Sequence, residues 1–361
     1  MATIQDRIKE IEEELHKTEY NKATQKHIGI LKAKLSRLEL EAQSHKKGGG
    51  EGFSVPKSGD STVALVGFPS VGKSSILNKL TSQESKIGSF AFTTLTVIPG
   101  TLNYKGAQIQ ILDLPGIIEN ASVGSGRGRE VLSMVRNADL VLVVTDVEAK
   151  GVDRIIFELH RAGIVLNRRR RNISVKKANS GGIKIHKPRK VDIDDDDIKD
   201  VLKEFKITNA DVFIRESITM DDLIDHLKGN TIYAPALFVV NKIDLPHKRE
   251  NIENLKQFGR VVEVSASANI GMEKLKEEIY QSLELIRVYL REKSGYVDTE
   301  RPLVLRKGIV VREVVRKISR EMIESFKYAI IAGPHRKQAE LRVGLEYELL
   351  DSDILTIISR N

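Results

Sequence analysis

Apolar residues recur at helical spacing in two runs near the start of the chain. Ile4, Ile8, Ile11 and Leu15 form one stripe, and Ile28, Leu31, Leu35 and Leu38 form a second. Residues 19–24 break the period between them, and Thr24 stands where a cap for the second helix is expected. A helical hairpin is the reading, with its apolar stripes packed against a neighbouring domain and, as the competing role, a surface for a partner protein or RNA. From about residue 60 the pattern changes to short, continuous apolar runs at 62–66, 109–112, 140–145, 237–240 and 261–264. Runs of that kind mark strands buried on both faces of a parallel sheet. Helical patterns lie between them, so the fold class expected is α/β, a doubly wound and mostly parallel sheet.

That alternation is interrupted at residues 152–231, which read as a small inserted α+β subdomain. After a helix expected at 272–289, the tail reads as a strand at 303–305, an amphipathic helix at 311–324 and strands at 328–332 and 354–358. The organisation expected is therefore a hairpin at 1–47, an α/β domain at 60–151 and 232–292, the insert at 152–231 and a small C-terminal domain at 296–361. The glycine-rich stretch at 46–52 reads as a linker.

Composition narrows this only a little. Of 361 residues, 40% are hydrophobic and 30% charged, which is ordinary for a soluble globular protein. The absence of cysteine excludes disulfides and thiolate metal sites. The N-terminus is charged, with none of the apolar segment a secretory signal needs, and the longest apolar runs are too short to cross a bilayer. The expectation is a cytoplasmic chain without membrane insertion. The formal charge is +8, and its placement matters more than its size. Residues 161–190 hold eleven Lys or Arg and no Asp or Glu, including Arg168, Arg169, Arg170, Arg171, Lys176 and Lys177. Asp residues at 192–197 then reverse the sign, at the expected start of a helix at 198–205, where carboxylates favour the positive end of the helix dipole. A basic tract without acidic dilution suits a polyanion, with binding that is steeply salt-dependent. Little aromatic interleaving is visible, so backbone contact with structured RNA is expected rather than base stacking.

The clearest chemistry lies at Gly67, Phe68, Pro69, Ser70, Val71, Gly72, Lys73 and Ser74, between a predicted strand and a predicted helix beginning at Ser75. This is the phosphate-loop pattern in its required setting. The glycines let backbone N–H groups converge on phosphate oxygens at a helix N-terminus. Lys73 would reach the β- and γ-phosphates, and Ser74 would ligate Mg²⁺. Asp113, Leu114, Pro115 and Gly116 follow a strand, placing Asp113 for the Mg²⁺ shell and the Gly116 N–H as a γ-phosphate sensor. Thr94, with Thr93 as the fallback, lies in the intervening segment where a threonine joins Mg²⁺ when the γ-phosphate is present. Asn241, Lys242, Ile243 and Asp244 follow another buried strand and resemble a guanine-specificity motif. The Asp244 carboxylate can accept from guanine N1–H and N2–H₂, which adenine does not offer. Ser265, Ala266 and Ser267 resemble its supporting motif, with the Ala266 N–H expected on guanine O6. In this order the four motifs favour guanine nucleotides, GTP and GDP, over adenine nucleotides, and argue against a kinase or metabolic ATPase.

Three stretches together resemble the Obg-like GTPases. They are the phosphate loop; Phe92, Thr93, Thr94, Leu95 and Thr96 with Pro99 and Gly100; and Asp113, Leu114, Pro115, Gly116, Ile117, Ile118 and Glu119. Within that group, Gly124, Ser125, Gly126, Arg127, Gly128 and Arg129, with Lys105, Gly106 and Ala107 and with Asn209, Ala210, Asp211 and Val212, look like the developmentally regulated GTP-binding protein subfamily. The resemblance extends over the N-terminal hairpin. It also reaches a C-terminal TGS domain of β-grasp fold, through Gly344, Asp351, Asp353 and Ile354. It implies association with ribosomes and translation, an insert similar to small ribosomal-protein αβ folds, and a dedicated regulatory partner protein. In Ras-like enzymes a glutamine after Asp-x-x-Gly orients the attacking water. Ile117 stands there, and the resemblance implies slow intrinsic turnover assisted by a partner or by K⁺, with Ser70 at the loop position concerned. The competing function is an RNA- or ribosome-binding scaffold that holds GTP as a structural ligand.

Overall fold

The fold was analysed in a computed structural model. It describes all residues except 1–2, 20, 22–23, 45–57, 82–89, 93–94, 115–125, 192, 293, 336–339 and 361. The expected linker at 46–52, Thr93, Thr94, residues 115–119 (Gly116 and Ile117 among them), Gly124 and Ser125 lie outside the described residues. The chain divides into two compact units, one of residues 53–155 with 234–361 and the other of residues 1–52 with 156–233.

In the first unit, a seven-stranded sheet runs in the order Val261–Glu263, Ala236–Asn241, Leu140–Asp146, Ser61–Val66, Ala107–Asp113, Leu95–Tyr104 and Phe90–Phe92. The first five strands are parallel, Leu95–Tyr104 pairs antiparallel with Ala107–Asp113, and Phe90–Phe92 pairs antiparallel with Leu95–Tyr104. Ser61–Val66 and Ala236–Asn241 are buried at every position, which is why the sequence shows apolar runs there rather than alternation. Val63, Leu65, Leu142, Val144, Leu237 and Val239 join Ile76, Leu77, Leu275 and Ile279 of flanking helices in one core. The fold class read from the sequence is the one observed.

The tail departs from its expected boundaries. The helix expected at 272–289 ends at Ser282, Glu284 turns the chain with a positive φ of 50°, and Leu285–Leu290 is a strand. Ile279, Leu283 and Ile286 fit a helical period, but Ile286 and Val288 alternate into a second core and the β-prone Ile, Val and Tyr prevail. The expected helix at 311–324 likewise breaks at extended Ser319 into Val311–Ile318 and Glu321–Glu324. The resulting sheet has five strands, in the order Leu303–Arg306, Leu285–Leu290, Asp353–Ser359, Phe326–Ala332 and Leu341–Val343. Val311, Val314 and Val315 cover one side of it.

In the second unit, helices Ile4–Lys17 and Gln25–Ser44 pair through Ile11, Leu31, Leu35 and Leu38. Thr24 lies at their junction and accepts from the Asn21 N–H at 3.0 Å. The hairpin does not stand apart. Ala33 is fully buried in the insert's own core with Ile198, Val201, Leu202 and Leu223, so insert and hairpin share one hydrophobic interior. Lys32 also pairs with Asp221 at 2.9 Å and Lys206 with Glu41 at 2.7 Å. Exposed pairs of this kind contribute little beside apolar burial. The insert's helix Asp195–Glu204 carries Asp195, Asp196 and Asp197 in its first turn, with Asp194 capping the Asp196 N–H at 2.8 Å. The charge reversal in the sequence is therefore a helix start.

Candidate functional site

Strand Ser61–Val66 delivers the chain into the loop at residues 67–72, and helix Lys73–Leu80 leaves it. Two glycines are required by contact. A Cβ on Gly67 would lie 2.3 Å from the Val144 carbonyl, and one on Gly72 (φ +94°) 2.2 Å from the Asn241 amide. Ser70 is also left-handed, at φ 61°, so the loop curls before the helix starts. The Lys73 ammonium is buried against it and donates to the Gly67 and Phe68 carbonyls at 3.1 and 2.9 Å.

The parallel pairing of Ser61–Val66 with Ala107–Asp113 sets Asp113 opposite Leu65, at the sheet's C-terminal edge. The Ser74 hydroxyl donates to the Asp113 carboxylate at 2.5 Å. Two hard oxygen donors thus converge at the start of the helix, which suits Mg²⁺.

At the same edge, Ala236–Asn241 ends beside the loop. The Asn241 side chain donates to the Val71 carbonyl at 2.9 Å and accepts from the Ala266 N–H at 3.0 Å. Lys242 (φ 65°) donates to the Ser70 carbonyl at 2.7 Å. Asn241 and Lys242 therefore fasten the phosphate loop to the strand that carries the base motif. The Ser265 hydroxyl donates to Asp244 at 2.5 Å and lies 3.0 Å from the Ser267 hydroxyl, which holds the Asp244 carboxylate in place. The Ala266 N–H, expected on guanine O6, donates to the Asn241 side chain in this arrangement.

Ser70, Gly72, Lys73, Ser74, Ser75, Asn241, Lys242, Ala266 and Ser267 line one cavity of about 350 Å³. Asp113 is bonded to Ser74 of this lining and Asp244 to Ser265, the residue before Ala266 of the lining, and Gly67, Pro69 and Val71 complete the loop. Thr94 and Gly116 lie outside the described residues. The sequence reading missed the bracketing role of Asn241 and the Ser265–Asp244 bond. Only the Ser-Ala-Ser spacing hinted at the latter.

The basic candidates belong to the other unit. Arg168 and Arg170 are exposed. Arg169 and Arg171 both pair with Glu216, Arg171 at 3.4 Å. The Asn172 N–H at 2.8 Å holds the Glu216 carboxyl below its usual range, and the two guanidinium groups add to that. Lys176 and Lys177 are exposed on strand Ile173–Lys177.

A phosphate loop bracketed by a buried strand end, on a mostly parallel sheet with helices around it, defines a P-loop GTPase domain. Residues 62–177 match the family described as 50S ribosome-binding GTPase, residues 180–285 the C-terminal region of that domain, and residues 286–359 the TGS domain. The last match begins at the strand Leu285–Leu290, not at 296. The chain is 48% identical to an uncharacterized GTP-binding protein of Methanocaldococcus jannaschii, over 98% of this chain and 93% of that one. It is 43% identical to developmentally-regulated G-protein 3 of Arabidopsis thaliana, over 100% of both. With developmentally-regulated GTP-binding protein 1 of Xenopus laevis the identity is 41%, over 98% of both. The chain belongs to the developmentally regulated GTP-binding protein family.

Proposed function

We propose that this chain binds GTP in the cavity beside the phosphate loop, hydrolyses it to GDP and phosphate, and works in the cytoplasm as a ribosome-associated switch. The observation that carries the nucleotide reading is the bracket of Asn241 and Lys242, which ties the phosphate loop to the base motif at 2.7–2.9 Å. Loop N–H groups and the start of helix Lys73–Leu80 favour phosphate oxygens. Lys73 swings from its two carbonyls to the β- and γ-phosphates. Asp244 accepts from the guanine edge. Ser74 and Asp113 would hold Mg²⁺, which when bound supplies charge neutralisation at the phosphates. Thr94 and the Gly116 N–H are the proposed γ-phosphate sensors.

Ile117 offers no polar group to orient a water, so turnover without help is slow. The help comes from a partner or from K⁺ near Ser70. Single-turnover hydrolysis in K⁺, Na⁺ and Cs⁺ tests this: a clear K⁺ advantage is expected, and equal rates remove the K⁺ assignment. Absence of any turnover would favour the scaffold role, with GTP as a structural ligand. The ribosome reading is supported by the exposed basic insert and by the description of the family matched at 62–177. Co-sedimentation that differs between GDP and a non-hydrolysable GTP analogue is the expected outcome. No binding in either state would overturn it.

A further inference from the structure

The insert's three-stranded sheet runs in the order Ile173–Lys177, Ala210–Ile214, Ile183–His186. One face carries Ile173, Ala210, Val212 and Ile214 into the core under the insert's helices. Strand alternation sends the intervening residues to the other face. Register then sets them in two rows. Lys176, Asp211 and Lys184 form one, and Ser174, Phe213 and His186 the other.

The second row holds an aromatic pair. The His186 and Phe213 rings stack, with centroids 4.7 Å apart and planes 11° from parallel. The Lys176 ammonium lies 5.7 Å from the Phe213 centroid. Phe213 is only half-buried, while Lys176, Lys184 and His186 are exposed. A phenylalanine on the open face of a sheet's central strand adds nothing to the core beneath. His186 and Phe213 lie far apart in the chain, which is why the linear sequence shows a basic tract with little aromatic character.

We propose that this face takes an unpaired stretch of RNA. One base continues the His186–Phe213 stack on the outer face of the exposed His186 ring, and Lys176 and Lys184 meet the flanking phosphates. An aromatic stack with an exposed outer ring and ammonium groups beside it is the chemistry that receives single strands, because bases inside a duplex do not offer a face. Asp211 is the carboxylate of the face, 3.6 Å from His186. It lowers the net positive charge, but it is an acceptor for a ribose 2′-hydroxyl, which commits the site to RNA rather than DNA. The inference rests on the RNA reading of the insert and replaces its expected mode, backbone contact with structured RNA, by stacking at this face.

The test uses the full chain and a labelled single-stranded RNA, a blunt-ended RNA duplex, DNA of the single-strand sequence and an acidic peptide, read by fluorescence anisotropy across salt. Phe213→Leu keeps an apolar residue and should weaken single-strand RNA binding about tenfold, with duplex binding and the salt slope unchanged. His186→Ala, at an exposed position, should act in the same direction and guards against misfolding of the first variant. Lys176→Gln with Lys184→Gln should lower the salt slope by about 1.4, because two phosphates are no longer neutralised. Single-strand binding indifferent to both ring variants, equal affinity for DNA, or peptide bound in preference to RNA would each overturn the inference. If the unmodified protein bound no RNA at all, the ribosome reading would fail with it. RNA binding that ignores Phe213 would overturn only the stacking site.

Discussion

Around the nucleotide cavity, Lys73, Asn241 and Lys242 are each tied to a carbonyl of the loop they serve, at 2.7–3.1 Å. On the insert, Lys176 and Lys184 project from one sheet face, and Arg168 and Arg170 are exposed beside two arginines that share Glu216. The first arrangement fixes the shape of the loop before a ligand arrives, because Asn241 and Lys242 hold its carbonyls and Lys73 has only to swing from them to the phosphates. The second is an electrostatic surface whose side chains keep their rotamer freedom. Single substitutions should therefore be severe at the cavity and graded at the insert.

Lys73→Ala breaks the comparison most directly. Removing the charge that meets the β- and γ-phosphates should lower single-turnover hydrolysis by about 10²- to 10³-fold, the scale at which a preorganised charge stabiliser acts. Thermal unfolding without nucleotide should move little. Hydrolysis at the normal rate would sink the site assignment.

Asp244→Asn comes next. The Ser265 hydroxyl fixes one oxygen of this carboxylate, leaving the group oriented toward a base. Losing charged hydrogen bonds to N1–H and N2–H₂ should weaken GTP binding by about 10²-fold. Xanthosine nucleotide, with an acceptor where guanine has its amino group, should gain in turn. Unchanged GTP affinity in a binding titration would mean that the base is read elsewhere.

On the insert, Arg168→Glu with Arg170→Glu reverses two exposed charges and leaves the Glu216 pairs in place. Ribosome co-sedimentation should weaken, and the slope of log affinity against log salt should fall by about 1.4, at about 0.7 for each phosphate of unpaired RNA. GTP hydrolysis by the isolated chain should not change. A co-sedimentation profile that matches the parent would clear the arginines of a role.

The same contrast explains what could be read from the chain. Phosphate loops work through backbone, so glycine and lysine at fixed spacing announce them. The buried parallel strands announced themselves as apolar runs. What depended on register did not show: the Asn241 bracket, the Ser265–Asp244 bond and the row joining Ser174, Phe213 and His186 each bring together residues from separate strands or loops. The boundary after Ser282 was missed for another reason. Helical and alternating periods coincide over 279–289, and only the core beneath Ile286 and Val288 decides between them.

The smallest expected effect lies in the cavity's own unit, away from the cavity. Lys105 ends the hairpin between Leu95–Tyr104 and Ala107–Asp113, and its ammonium lies 2.7 Å from Glu277 of helix Met272–Ser282. The Tyr104 hydroxyl donates to the same carboxylate at 2.7 Å and the Gln281 amide at 3.0 Å. The Lys105 contact, then Tyr104 and Gln281, hold the Glu277 carboxyl down at about 2. Between that value and the ordinary 4.5 the unfolded chain binds the extra proton, so stability rises with pH across this window. The contribution is complete above about pH 5 and is lost as pH falls toward 2. Because the carboxylate is about a third exposed, solvent screens the pair and the effect on unfolding is modest. Glu277→Gln should lower the melting temperature at pH 7 by about 1–3 °C, and the difference from the parent should vanish toward pH 2. A gap between the two melting curves that stays constant from pH 7 to pH 2 would show that the carboxylate's charge contributes nothing there.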